Sequence, residues 1–290
     1  MEWGDVKVFL AVVRAGTYAD AATQLRVSRP TVSRRVQALE EALGQKLFQR
    51  TGDGLVITAE GESILDLAER MEQSALALHR KIAVHDEHLE GGIRITCPEW
   101  FAGYVMPDLM VSVARKHPNI RVEILTSPRM LDLSRREADV ALRNVPFDQP
   151  DIVQRKLMDV RYAVYAAQNY SVASHTGEGV NLILMNADFN HFPDVAWIQK
   201  LLPDASVMQR SNDRIIQAQL CAAGLGLAVL PVVVGQKIPG LKVIDLQTPP
   251  PGRELWLGYH RDLRDVPRLK AVTRALFSAS ATSLNLTRTL

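Results

Sequence analysis

The chain has 290 residues, 47% of them hydrophobic and 23% charged, with a net charge of +2. That balance suits a folded protein of two or three domains rather than a disordered one. No apolar run approaches the length that spans a bilayer, and Val8–Val13 is too short for a signal segment and follows Glu2 and Asp5 rather than a basic stretch, which places the protein in the cytoplasm. The two cysteines, Cys97 and Cys221, give no disulfide framework and fit a reducing compartment.

In chain order, Val6, Phe9, Leu10 and Val13 recur at i, i+3, i+4 and i+7, which predicts an amphipathic helix over 3–15 with Lys7 and Arg14 as solvated charges. Thr17 is an N-cap for a short helix over 18–25 carrying Ala21, Ala22 and Leu25. After a tight turn, Ser28 caps a second helix whose missing N–H at Pro30 costs nothing in the first turn. Val32, Val36, Leu39 and Leu43 mark its buried face, and Gly44 ends it. The other face carries Arg29, Thr31, Ser33, Arg34 and Gln37, residue types that reach phosphates and base edges when a helix enters the major groove by its N-terminal end. Between Arg26 and Arg50 six Lys or Arg stand against two acids, a surplus of four in a chain whose total is +2. That concentration is the footprint of a phosphate-binding face. LFQR-TGDG-LVIT then reads as two strands around a Gly-rich turn, a wing with Arg50 at its base. An αα-hairpin with a basic solvated face is the plainer alternative.

The run VKVFLAVVRAGTYADAATQLRVSRPTVSRRVQALEEALGQKLFQRTGDGLVITAEG closely resembles the N-terminal winged helix-turn-helix of LysR-type transcriptional regulators. SRRVQALE stands at that family's recognition helix, LFQR at its wing strand and TAEG at the opening of its next helix. The resemblance implies that Arg29, Pro30, Ser33 and Arg34 face double-stranded DNA and that Arg50 holds a phosphate; Ser28, Thr31 and Gln37, at the same end of the helix, complete the expected DNA-binding set. Arg29 stands where the family often has Gln or Pro.

From Thr58 onward Ile64, Ala68, Met71, Ala75, Leu78, Ile82 and Leu89 follow an a/d spacing with His85 filling the gap, which predicts a linker helix that dimerises as a coiled coil. Its flanks Asp66, Glu69, Arg70, Glu72 and Gln73 are polar. His79, His85 and His88 lack a carboxylate or cysteine in register and read as solvated, so neither a metal nor a cofactor is expected. The domains expected are 1–58 for DNA binding, 59–90 for the linker and 91–290 for an effector domain.

After Gly91-Gly92, strand and helix signals alternate: IRITC, a helix over 100–116, VEIL, a helix over 128–137, ADVAL and VRYAVYAA. This predicts an open, mostly parallel sheet whose ligands sit beyond the strand ends, against helix N-termini. A second set follows, with WIQKLL helical, SVMQ a strand, a helix capped by Ser211 or Asn212, LGLAVLP a buried strand, LKVIDL, LWLGYH and a closing helix over 266–278. Pro249–Pro251 marks a rigid loop. Two such α/β lobes resemble a periplasmic-binding-protein fold, the effector domain of LysR-type regulators, with DVALR and AAGLGLAVLP as its patterns; 171–193 carries none. The lobes expected are 91–164 with 260–290, and 165–259.

The strand ends place Pro98, Trp100, Phe101, Thr126, Ser127 and Asn144 in one lobe, opposite Ser211 and Asn212 of the other. Neutral donors and helix N-termini suit a small organic anion, a carboxylate above all, with Arg143 as a balancing charge unless it pairs with Asp139. The function expected is a DNA-binding regulator, a homodimer or homotetramer, switched by a small-molecule effector. A solute-binding receptor is the alternative, though it requires export; a redox sensor using Cys97 is another. GxSxG, P-loop, GxGxxG and HExxH motifs are missing, so no enzyme is expected.

Overall fold

The structure, a computed structural model, describes residues 1–51, 54–84, 90–127, 129–171 and 176–286, with 54, 79–84 and 279–286 described as backbone alone. The chain divides into two compact units, Met1–Lys81 and Ile82–Leu290. The turn residues Gly52 and Asp53, the histidines His85 and His88, Leu89, Pro128 and residues 172–175 lie outside the described residues, as do the side chains of His79 and Ile82.

The first unit holds α1 (Trp3–Ala15), α2 (Tyr18–Leu25), α3 (Arg29–Leu43), β1 (Phe48–Thr51), β2 (Gly54–Ile57) and most of α4 (Ala59–Val84). Each boundary has a local cause. The Thr17 hydroxyl accepts the Asp20 N–H at 3.0 Å, the Ser28 hydroxyl accepts the Thr31 N–H at 3.3 Å, and Gly16 and Gly44 end their helices at φ +73 and +67, which glycine adopts without a Cβ penalty. Val6, Phe9 and Leu10 of α1 pack on Ala21, Ala22, Val32, Val36 and Leu39, and the Phe48 ring closes the core 5.5 Å from Phe9. Leu43, expected inside, is 38% exposed, because the last turn of α3 runs past the end of α1's apolar stripe.

Two charges are structural, one of them Arg14, which was expected in solvent. Glu40 is buried and accepts the N–H groups of Leu47 (2.9 Å) and Phe48 (3.4 Å) as well as Lys46 Nζ (2.6 Å), so it fixes the entry to the wing. Arg14 grips Glu72 with two hydrogen bonds of 3.0 and 2.5 Å, tying α1 to α4. The α4 stripe is correspondingly divided. Ala68 is buried in the head's own core with Ile64 against it, whereas Leu67, Met71 and Leu78 stay exposed.

The second unit carries β3 (Gly91–Thr96), α5 (Glu99–Tyr104), α6 (Met106–Lys116), β4 (Ile120–Leu125), β5 (Val140–Arg143), β6 (Ile152–Val160), β7 (Tyr162–Ala167) and β8 (Asn181–Leu184). It continues with α7 (Pro193–Leu201), β9 (Ser206–Arg210), α8 (Arg214–Ala222), β10 (Leu227–Pro231), α9 (Val232–Gly235), β11 (Leu241–Ile244), β12 (Arg253–His260) and α10 (Pro267–Leu286). One sheet runs β4-β3-β5-β12-β6 and the other β11-β7-β10-β8-β9. Both are mixed rather than mostly parallel, since β12 is antiparallel to β5 and β6, and β7 is antiparallel to β10 and β11. The chain crosses between lobes at Arg161 and again between Ile244 and Arg253, so β12 lies in the first lobe and Tyr162–Val164 in the second, to either side of the expected boundaries. Among the described residues no helix is long and apolar enough to cross a membrane.

Three further expectations fail for local reasons. The helix over 100–116 is two helices, because Pro107 in the first turn of α6 cannot donate back into α5. Among the described residues of 128–137 there is no helix: the Asp132 carboxylate takes the Ser134 and Arg135 N–H groups, Glu137 takes the Asp132 N–H, and Arg136 turns to φ +57. Neither Ser211 nor Asn212 caps α8. Asp213 does, its Oδ1 accepting the N–H groups of Ile215 (2.7 Å) and Ile216 (3.1 Å), with the Ser211 hydroxyl accepting the Asp213 N–H.

Candidate DNA-binding face and ligand cleft

On α3 the side chains of Ser28, Arg29, Pro30, Ser33, Arg34 and Gln37 are exposed together, with Thr31 half-buried and its hydroxyl 2.8 Å from that of Ser28. Gln37 donates to Glu41 at 2.9 Å. Of the six cations between Arg26 and Arg50, Lys46 is paired with Glu40 and Arg35 with Asp5. Arg26, Arg29, Arg34 and Arg50 have no ion pair among the described residues, and the first turn of α3 holds no acid to offset them. In the wing, Arg50 stands opposite Leu55 and next to the Thr51–Gly54 pair that precedes the turn, nearer the tip than the base. Arg29 and Arg50 line one concavity of about 340 Å³ with Thr17, Tyr18, Ala19, Thr51 and Leu55. Although Asp20 also stands in the first turn of α2, two guanidinium groups without ion pairs among the described residues make this concavity positively charged. Tyr18 belongs to it as a neutral hydroxyl, its pKa raised by burial and by Glu40. Sequence reading took Thr17 only as a cap and gave Tyr18 and Ala19 no role.

In the second unit a cleft of about 340 Å³ opens between the lobes. Of the eight residues expected there, Pro98, Trp100, Ser127, Asn144 and Asn212 line it. Phe101 is buried in the core, edge-on to Trp100 at 5.7 Å, and Thr126 and Ser211 are not among the lining residues. The lining adds Glu99, Met130, Leu131, Arg143, Tyr162, Phe189, Phe192, Arg214 and Arg253, of which sequence reading had only Glu99, at the first strand end, and Arg143.

The floor of the cleft is an ionic cluster. Asp194, fully buried, takes Arg214 Nη2 at 2.5 Å on one oxygen and forms an ion pair with Arg253 on the other. Arg214 also donates to Gln217 Oε1 (3.0 Å) and the Val229 carbonyl (2.8 Å). Both guanidinium groups lie near the Tyr162 ring, at 5.6 and 5.5 Å, and Arg253 lies 3.8 Å over Phe192. Glu99, at the start of α5 in the first lobe, accepts the backbone N–H of Arg214 in the second at 2.9 Å, so one carboxylate spans the cleft. Arg214 is 20 residues from Asp194 and 115 from Glu99 in sequence, which is why no local pattern announces the cluster.

Burial pushes the Glu99 carboxyl above its ordinary value of 4.5, against the opposing pull of the Arg214 N–H. A carboxyl with a raised folded pKa binds its proton more readily when folded, so its contribution to stability is complete below about pH 4.5 and is lost as pH rises through the folded value. Glu99→Gln keeps an acceptor for Arg214 without that charge. It should raise the melting temperature at pH 7 to 8 and leave it unchanged near pH 4; a neutral-pH loss in a two-pH melting series would show that the charge stabilises the fold.

Arg143 is half-buried at the end of β5, its pKa lowered by burial. It donates to the Leu131 carbonyl at 2.6 Å and lies 4.6 Å from the Phe147 ring; Asp139, its expected partner, instead accepts the Arg94 N–H. Burial, with Glu99 second, pushes the Cys97 thiol up to about 12, and burial does the same to Cys221. A protonated, buried thiol is a poor nucleophile, which does not favour redox sensing at Cys97.

Residues 3–62 match the family model of the bacterial regulatory helix-turn-helix protein, lysR family, and residues 86–280 match that of the LysR substrate binding domain. The transcriptional regulator CrgA of Neisseria meningitidis is 33% identical over 172 residues, 59% of this chain and 57% of its own length. The Mau operon transcriptional activator of Paracoccus denitrificans is 26% identical over 94% of each chain. In fold, the Vibrio cholerae virulence activator AphB superposes with a TM-score of 0.64 at 20% identity, over 96% of this chain and 99% of AphB.

Proposed function

This chain belongs to the LysR family of transcriptional regulators, and from that premise we propose that it is a cytoplasmic homodimer or homotetramer that reads DNA with α3 and the wing and responds to a small organic anion held between the two lobes. The observation that carries the DNA reading is the group of four unpaired cations on one head, two of them facing a common concavity with the first turn of α2. In this reading Arg34 contacts a base edge, while Arg29 and Arg50 hold phosphate. Ligand binding changes the relative populations of assembly geometries and so the spacing of paired heads on DNA.

The test is a gel shift on genomic promoter fragments at two salt concentrations, against competitor DNA. One preferred fragment should survive competition. Arg34→Ala should lower affinity for that fragment by about 5- to 150-fold, the worth of one base contact of about 1–3 kcal/mol, and leave folding intact. An equal loss on random DNA would reassign Arg34 to phosphate. A solute-binding receptor would show no preferred fragment at either salt.

A further inference from the structure

We infer that the cleft takes a carboxylate carried on an apolar, ring-sized body, and that its charge is received by Arg143 and Asn144 of the first lobe rather than by the helix ends. This rests on the reading of the cleft as the effector site. The helix ends are already occupied. Glu99 accepts the first N–H of α8, and Asp213 accepts the next two. A ligand anion at that place would displace a bonded carboxylate and face a second one.

The remaining charges decide where an anion goes. Arg214 and Arg253 share the buried Asp194 carboxylate, Glu99 accepts the backbone N–H of Arg214, and Arg129 is paired with Glu137 at 3.0 Å. Arg143 lines the cleft without an ion pair among the described residues and donates a hydrogen bond to the Leu131 backbone carbonyl. Protonation of Glu99 would only add to the positive excess. The next residue, Asn144, has an amide nitrogen that is buried without a hydrogen-bond partner. A buried donor in that condition is costly, and an acceptor from a ligand, met by a small side-chain rotation, removes the cost. Burial has also lowered the Arg143 pKa, so a carboxylate there offsets desolvation already incurred.

Beside the polar Thr96, Ser127, His191 and Asn212, most of the remaining lining is apolar. Met130, Leu131 and Val145 stand on the side of Arg143, and Met185, Phe189 and Phe192 on the other, the two phenylalanine rings 5.1 Å apart. A volume of about 340 Å³ lies at the small end of ligand pockets. It suits one ring with one acidic group.

The full-length protein should be tested with phenylacetate, acetate, 2-phenylethanol and phenylalanine by calorimetry and thermal melting, alongside the promoter gel shift. Phenylacetate should bind about tenfold or more tightly than each of the other three and raise the melting temperature. Arg143→Gln should reduce phenylacetate affinity by about tenfold or more, the loss of a charge-assisted bond. Because Arg143 also holds Leu131 and Phe147, the isosteric Asn144→Asp provides the second variant: it should abolish binding while the ligand-free melting temperature stays close to the parent's. Equal binding of the alcohol would overturn the charge assignment, and tighter binding of phenylalanine would overturn the ligand class by giving Glu99 an ammonium to hold. Binding that survives both substitutions would overturn the location. If none of the four binds while a promoter fragment is still selected, this inference fails and the regulator reading stands; if no fragment is selected, that reading fails on its own.

Discussion

Asp194→Ala should cause the largest loss of stability of any single substitution in the second unit. The carboxylate and both guanidinium groups are nearly sealed from solvent, with side chains 1%, 5% and 6% exposed for Asp194, Arg214 and Arg253. Removing the shared acid leaves two buried cations facing each other across the space it filled. Breaking a buried pair in this way typically costs about 3–5 kcal/mol, since the remaining charge keeps its desolvation penalty without its partner. At about 2–4 °C per kcal/mol for a unit of this size, the melting temperature should fall on the order of 10 °C. Asp194 lies on α7, Arg214 opens α8 and Arg253 opens β12, so the cluster joins two helices of one lobe to the strand that returns to the other. Asp194→Asn, which keeps an acceptor but not the charge, should fall between. A shift of under about 2 °C for the alanine variant would mean that the guanidinium groups reach water when the acid is gone, and that the cluster is less enclosed than its geometry indicates.

The head was legible in sequence because its determinants are local. Thr17, Ser28, Gly16 and Gly44 act within one helical turn, and the apolar spacing of Val32, Val36 and Leu39 needs no knowledge of the rest of the chain. Arg14, read as solvated, has its partner elsewhere in the unit, a glutamate 58 residues on, and Glu40, given no role from sequence, holds the backbone of Leu47 seven residues on. In the second unit most strands were found, the alternating β9 as well as the buried β10, whereas β6, with Gln154 and Arg155 exposed, and the buried β8 were missed. The cleft was the least legible part. Its strand ends were named correctly at Pro98, Ser127 and Asn144, but what decides its chemistry comes from Asp194, Arg214 and Arg253, which only tertiary folding brings together. Neutral donors at helix ends were expected to receive an anion; the chain places Glu99 and Asp213 there instead.

Leu78→Glu should separate assembly from folding. The a/d stripe of α4 begins with Ile64 and Ala68, and both contribute to the head's own core, so the seam cannot start where its sequence pattern does. The apolar residues left free farther along are Leu67, Met71 and Leu78, 55%, 39% and 63% exposed, which fall at i, i+4 and i+11, one side of the helix. Such a row is stable in water only when a second helix covers it, and two copies of α4 are the simplest cover. A glutamate at Leu78 places a charge in that contact without touching Phe9, Val36 or Leu39 of the head. Sedimentation should therefore show a smaller assembly, and the head should still melt cooperatively. Promoter affinity should fall by about 10²–10⁴, because two linked heads bind the second half-site at high effective concentration and a single head does not. Ile64→Glu is the contrasting substitution, expected to unfold the head itself by placing a charge against Ala68. If Leu78→Glu sediments like the parent protein, the copies meet through another surface and the exposed row on α4 serves a different partner.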